Sequence, residues 1–244
     1  MIMIKKNVGV IGYGLWAQRV VPVIKKLCNI NFIANSKIDY RILNLDVDWI
    51  IVLTNNKTHF PIVKYLLSKG KNVICEKPLT GTPKESEYLY KLAKNKKAKL
   101  YVSDVEFYKY KKIKISNNNN IIRSKKSSVK KGDLLFRLAY HDFYLLRKYL
   151  GSQKINIITT IQMNKKKLKF SFNSNDKKFN FLYSIDSLSN KHNINKMNFL
   201  KFKSDPLTKM FRTIFNGKAD FKRNKVDTLC ASKIISQLNE HGIK

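Results

Sequence analysis

The first apolar cluster, Val8, Val10 and Ile11, is strand-like and runs straight into Gly12-Tyr13-Gly14. From Leu15 to Leu27 the apolar residues Val20, Val23, Ile24 and Leu27 recur at helical spacing, with Pro22 inside the run. A short strand follows at residues 31–34. Trp49 to Leu53 is uninterrupted apolar sequence, as expected of a strand buried on both faces. The spacing then predicts a helix over 60–69 closed by Gly70, a strand over 72–75, a helix over 84–95 and a strand over 99–103. Strands alternating with helices in this way predict βαβ units and a doubly wound parallel sheet.

The pattern changes near residue 110. Residues 117–131 are polar and read as a surface connection. Residues 134–150 are apolar at helical spacing and end at Gly151. Strand-like runs over 156–162, 168–173, 179–184 and 197–203 are separated by Asn, Asp, Ser and Lys, which predicts a mostly antiparallel open sheet. Residues 206–215 and 226–238 read as closing helices. The division expected is an α/β domain over 1–110 and an α+β domain over 111–244.

The 244 residues are 43% hydrophobic, enough for a packed core, which excludes a wholly disordered chain. No apolar run is long enough to span a membrane, and residues 1–6 lack the order of a secretory leader, so the cytoplasm is the expected compartment. Cys28, Cys75 and Cys230 lie far apart, without metal-ligand spacing, and no metal is expected. The net charge of +33 first suggests nucleic acid, but 42 of the 49 basic residues are lysine and only 7 are arginine. The lysines are spread through the whole chain among Asn and Ile. Solvated faces therefore explain the charge better than a nucleic-acid site; a field that attracts an anionic substrate is the other reading.

Gly12-Tyr13-Gly14-Leu15-Trp16-Ala17 is G-x-G-x-x-A between a strand and a helix. The first glycine suits a tight turn, the second lets backbone approach a pyrophosphate, and the small Ala17 lets helix and strand close. An anion there would meet the helix N-terminus. Gly12, Tyr13, Gly14, Leu15 and Trp16 are thus candidate cofactor-binding residues. A ribose-binding acid is expected at the end of the second strand, where the sequence is instead Ala34-Asn35-Ser36-Lys37. Asn35, Ser36 and Lys37 suit a 2′-phosphate, so NADP is favoured over NAD.

Three further stretches complete a pattern. Asp48 to Asn55 leads to Thr58-His59. Gly70-Lys71-Asn72-Val73-Ile74-Cys75-Glu76-Lys77-Pro78-Leu79 comes next. His141-Asp142-Phe143-Tyr144-Leu145-Leu146-Arg147-Lys148-Tyr149-Leu150-Gly151 follows. Together with the tail from Asp205-Pro206-Leu207 to the last helix, the chain resembles the Gfo/Idh/MocA family. The resemblance implies an N-terminal Rossmann domain, a second domain whose sheet packs against cofactor and often another subunit, and NAD(P)-dependent chemistry on a sugar or nucleotide sugar.

It further implies that Lys77 and His141 are catalytic. An ammonium at Lys77 would polarise the reacting C–O group, and an imidazole at His141 would exchange its proton. Thr54, Asn55, His59, Glu76 and Pro78 would line the cofactor edge, with His59 alternatively a helix-start residue. Lys77, Arg137, His141 and Asp142 would bind substrate. Arg137 stands where many relatives carry an acid, four residues before the histidine. Arginine cannot act as a base but can grip a phosphate or carboxylate. A catalytically weakened cofactor-binding protein is therefore the second reading.

Overall fold

The structure, a computed structural model, describes residues 6–109, 113–125, 138–150 and 205–240, together with the strand segments 156–157, 162–163, 167–174, 176–185, 190–195 and 197–198. It divides into two compact units. The first contains β1 (Asn7–Ile11), α1 (Ala17–Lys25), β2 (Asn29–Ala34), β3 (Trp49–Val52), α2 (Asn56–Ser68), β4 (Val73–Cys75), α3 (Pro83–Asn95) and β5 (Leu100–Val102). Its sheet is parallel throughout, in the order β2-β1-β3-β4-β5. β3, β4 and β5 are entirely buried, which explains their unbroken apolar sequence. α1 tolerates Pro22, and Val20, Val21 and Ile24 lie buried on its inner side.

The second unit holds β6 (Asn118–Lys125), α4 (Tyr140–Leu146), β7 (Asn156–Ile157), β8 (Gln162–Met163), β9 (Lys167–Ser174), β10 (Lys177–Ile185), β11 (Lys191–Ile194) and β12 (Met197–Asn198). The strand order is β12-β11-β6-β10-β9-β7, with β8 also paired to β9. All pairs are antiparallel except β6 with β10. An aromatic cluster of Phe143 from α4 with Phe170, Phe172 and Phe181 from the sheet fills the core of this unit. The mostly antiparallel expectation stands, but residues 118–125 are not a surface connection. They form a strand between β10 and β11, where Ile121 and Arg123 are buried. The run of four asparagines from Asn117 to Asn120 hid that strand, because Asn is depleted in sheets.

Two helices follow, α5 (Pro206–Phe215) and α6 (Phe221–Glu240). Both were expected in the second domain. The structure instead groups α5 and α6 up to Leu229 with the first unit. The reason is packing. Met210, Phe211 and Ile214 enter the core formed by Val8, Val20, Ile24 and Ile51, and Phe221 stacks on Trp49.

A polar staple completes this attachment. The buried Asn224 amide donates to Val102 O (2.8 Å) and accepts from Val102 N (2.9 Å), so it satisfies the backbone of β5 as a neighbouring strand would. Beside it Arg223 donates to Asp104 (2.6 Å) and Asp227 (2.7 Å), and Tyr101 donates to Asp104 at 2.8 Å. Asn224→Ala leaves two buried backbone groups unpaired and is expected to cost about 2–4 kcal/mol in denaturant unfolding. A loss below about 0.5 kcal/mol would show that the staple contributes nothing to stability.

Candidate active site

In a parallel sheet, ligands bind beyond the carboxyl ends of the strands, where neighbouring strands send their connections in opposite directions. That point lies between β1 and β3 in this chain. The backbone ladder continues past the strand ends there. Gly12 N donates to Ala34 O (2.7 Å), Leu53 N to Ile11 O (2.8 Å) and Glu76 N to Val52 O (2.9 Å). These bonds bring Gly12, Thr54 and Glu76 into one row of loops.

Gly12 has φ +102°, and a Cβ on it would fall 2.7 Å from Leu53 C and Thr54 N. Glycine is thus required on two counts, backbone conformation and space. Gly14 is different: a Cβ there would meet nothing within 4 Å. The space over Gly14 is open, as a closely approaching diphosphate requires. α1 begins just beyond. Its N-terminal boundary, Trp16, makes no side-chain capping bond, and the first turn carries no acid. Ala17 is fully buried beneath it, while Tyr13, Leu15 and Trp16 are exposed around the loop. A helix start of this kind favours an anion. Thr54 adds a buried hydroxyl oxygen with no hydrogen-bond partner among the described residues. An orphaned polar atom at this row of loops is a natural anchor for a ligand.

At the end of β2, Asn35, Ser36 and Lys37 are exposed, and the Asn35 side chain accepts from Lys37 N at 2.9 Å. The nearest acid, Asp39, is clamped by Arg41 at 2.8 Å. Asn55 caps α2 by accepting from Lys57 N at 3.1 Å. His59 lies fully buried below the Thr54 turn. Its Nδ1 is 2.7 Å from Pro78 O and its Nε2 is 3.1 Å from Thr54 O. Burial lowers the His59 pKa, opposed by those two carbonyls and by the Glu76 charge. Glu76 and Lys77 are half-buried, Glu76 accepts from Lys77 N, and the Lys77–Pro78 peptide is cis.

His141 is in the first turn of α4, half-buried, in the second unit. Its neighbour Asp142, expected among the substrate-binding residues, is fully buried and faces protein groups instead. Arg123 of β6 reaches its carboxylate with Nη2 at 2.7 Å and Nε at 3.2 Å, and His192 of β11 lies 2.7 Å away. Sequence reading missed Arg123 and His192 as partners because β6 and β11 went unseen; the signal was the apolar pair Ile121-Ile122 interrupting the polar run. Arg137 lies outside the described residues. Among the described residues no cluster of His, Cys, Asp or Glu could hold a metal ion, and no helix is long and apolar enough to cross a membrane.

Burial raises the Asp142 pKa, but the charges and hydrogen bonds of Arg123 and His192 outweigh it and hold the carboxyl below its ordinary value of 3.8. A depressed carboxylate contributes stability above its unfolded pKa and loses it as the pH falls. The second unit should therefore loosen on acidification from about pH 4 towards pH 2. Near-UV circular dichroism measures this. Replacing the group (Arg123→Met with Asp142→Leu) should flatten the acid limb, and an equally steep limb would discard Asp142 as its source.

The geometry agrees with known proteins. Residues 27–104 match a family model described as an oxidoreductase family with an NAD-binding Rossmann fold. An uncharacterized oxidoreductase of Schizosaccharomyces pombe is 35% identical over 66 residues, 27% of this chain and 18% of the relative. The uncharacterized oxidoreductase YhhX of Escherichia coli is 39% identical over 61 residues, 25% of this chain and 18% of the relative. The matched stretch thus spans under a fifth of these curated relatives. Solved structures extend the likeness in fold. The WlbA (WbpB) dehydrogenase of Thermus thermophilus, in complex with NAD and UDP-GlcNAcA, has a TM-score of 0.73 at 15% identity, over 94% of each chain. UDP-N-acetylglucosamine 3-dehydrogenase GnnA of Acidithiobacillus ferrooxidans has a TM-score of 0.77 at 13% identity, over 96% of each chain.

Proposed function

We propose that the chain, whose residues 27–104 match an oxidoreductase family with an NAD-binding Rossmann fold, is a member of the Gfo/Idh/MocA family and a nicotinamide-dependent dehydrogenase acting on a sugar or nucleotide sugar. The observation that carries the reading is the open space over Gly14 before an uncapped helix, at the carboxyl edge of a parallel sheet. The backbone around Gly12, Tyr13, Gly14, Leu15 and Trp16 would hold the diphosphate, with the Thr54 hydroxyl, Asn55 and Glu76 along the cofactor edge. A nicotinamide bound there would supply the hydride chemistry.

Lys77 holds the reacting oxygen of the substrate and polarises its bond to carbon. His141 takes the hydroxyl proton in oxidation and returns it in reduction. Exposed Ser36 and Lys37, with Asp39 tied to Arg41, favour a 2′-phosphate and hence NADP. The substrate class rests on the nucleotide-sugar dehydrogenases of the same fold. Surface polysaccharide synthesis is the process we propose for a substrate of that class. Self-association would use the outer face of the second sheet, where the cross-strand pair Ile122 and Leu182 is exposed. A second reading, a cofactor-binding regulator with little turnover, is favoured by Arg137 in place of the usual acid.

Gly14→Ala places a methyl group in open space and should leave the unfolding midpoint unchanged, while weakening NADH and NADPH binding about tenfold or more. Tryptophan fluorescence measures the affinity, because Trp16 borders the loop. Unaltered affinity would move the diphosphate elsewhere. Lys77→Ala should keep cofactor affinity and abolish turnover across a panel of UDP-hexoses. Undiminished turnover would remove Lys77 from the chemistry, and a wild-type chain that binds the cofactor yet turns over none of the panel would favour the second reading.

A further inference from the structure

His59 is a fully buried polar side chain that the proposed chemistry leaves without a task, and its surroundings are unusual. Both ring nitrogens face carbonyl oxygens, Pro78 O at 2.7 Å from Nδ1 and Thr54 O at 3.1 Å from Nε2. Carbonyls only accept hydrogen bonds, and a neutral imidazole carries one N–H. A ring placed only to fill space would need neither contact. The two carbonyls also belong to different loops. Thr54 lies in the turn after β3, against Gly12. Pro78 follows Lys77 directly in the turn after β4. Both turns sit at the carboxyl edge of adjacent strands, and no backbone ladder joins them this far beyond the sheet.

We propose that His59 is a positioning residue, whose ring ties the Thr54 turn to the Lys77–Pro78 turn and so sets the cofactor edge and Lys77 in register. It touches neither cofactor nor substrate, and the inference rests on the cofactor reading above. Each contact has a separate consequence. The bond to Pro78 O steers the segment that carries Lys77, while the contact with Thr54 O holds the loop beside the orphaned Thr54 hydroxyl. The ring stands between the two as a spacer of fixed length.

Three substitutions separate the contacts. His59→Leu removes both. In His59→Asn the amide nitrogen takes the place of Nδ1, keeping the Pro78 contact, and in His59→Gln it takes the place of Nε2, keeping the Thr54 contact. The readouts are NADH and NADPH affinity by tryptophan fluorescence, and kcat across the UDP-hexose panel at saturating cofactor. His59→Leu should lose about tenfold or more in both. His59→Gln should recover affinity but not kcat, and His59→Asn should recover kcat but not affinity.

A folded His59→Leu with both readouts within about twofold of wild type would overturn the proposal. If that variant does not fold, the amide pair decides. Opposite losses support the register role; equal losses in both readouts mark a space-filling residue and overturn it. Wild-type protein that binds neither NADH nor NADPH is a different failure, seen before any substitution is made. It overturns the dinucleotide reading and takes this inference with it.

Discussion

The first unit is organised by a requirement of backbone chemistry. Parallel strands leave their last amides and carbonyls without partners inside the strands, and those groups must be satisfied as the chain turns away. Here Gly12, Leu53, Glu76 and Ser103 donate back across the strand ends, each to the neighbouring strand. The same bonds that close the sheet therefore align four loops along one edge. Gly12 has to be glycine because the Leu53–Thr54 backbone occupies the space a side chain would need. The open position at Gly14 exists because Gly12 has already made the turn. The row of loops at this edge is in this sense a product of completing the sheet.

The chain's few acids are treated in a way that its composition would not suggest. With 49 basic residues against 16 acidic ones, a carboxylate has no shortage of cations. Yet Asp104 and Asp142, both buried, are gripped by arginines, Arg223 and Arg123, rather than by any of the abundant lysines. The guanidinium fork explains the choice. It offers several N–H donors in fixed geometry and is less costly to strip of water than an ammonium. Two of the seven arginines hold these two interior carboxylates.

What could be read from the sequence followed from periodicity. The buried strands β3, β4 and β5 and the glycine turn were visible because an unbroken apolar run and a G-x-G-x-x-A spacing each have few physical explanations. β6 and β11 were not, because their Asn, Lys, Ser and His positions carry no period-2 signal of apolar residues strong enough to find them. Missing them also hid the partners of Asp142, which sequence alone left beside His141 as a substrate ligand. The attachment of α5, and of α6 up to Leu229, to the first unit was invisible for another reason. Which core an amphipathic helix joins depends on shape and on side chains such as Asn224, not on its own pattern. Gly12, Gly14, Thr54 and Glu76 were each expected at a cofactor edge from the sequence, and the structure sets them in loops at the ends of β1, β3 and β4. That His59 faces two carbonyls was not, since hydrogen-bond partners 19 residues apart leave no mark on spacing.

The Asn224 staple reaches β5 across 122 residues of chain. During synthesis at about 5–20 residues per second, β5 emerges on the order of ten seconds before the side chain that satisfies its outer backbone. Over that interval a nascent parallel sheet presents an unpaired edge, the kind of surface that recruits stray strands. The protein thus carries its own edge protector 122 residues downstream of the strand it covers, and the risk of misassembly is concentrated in the time taken to translate everything in between.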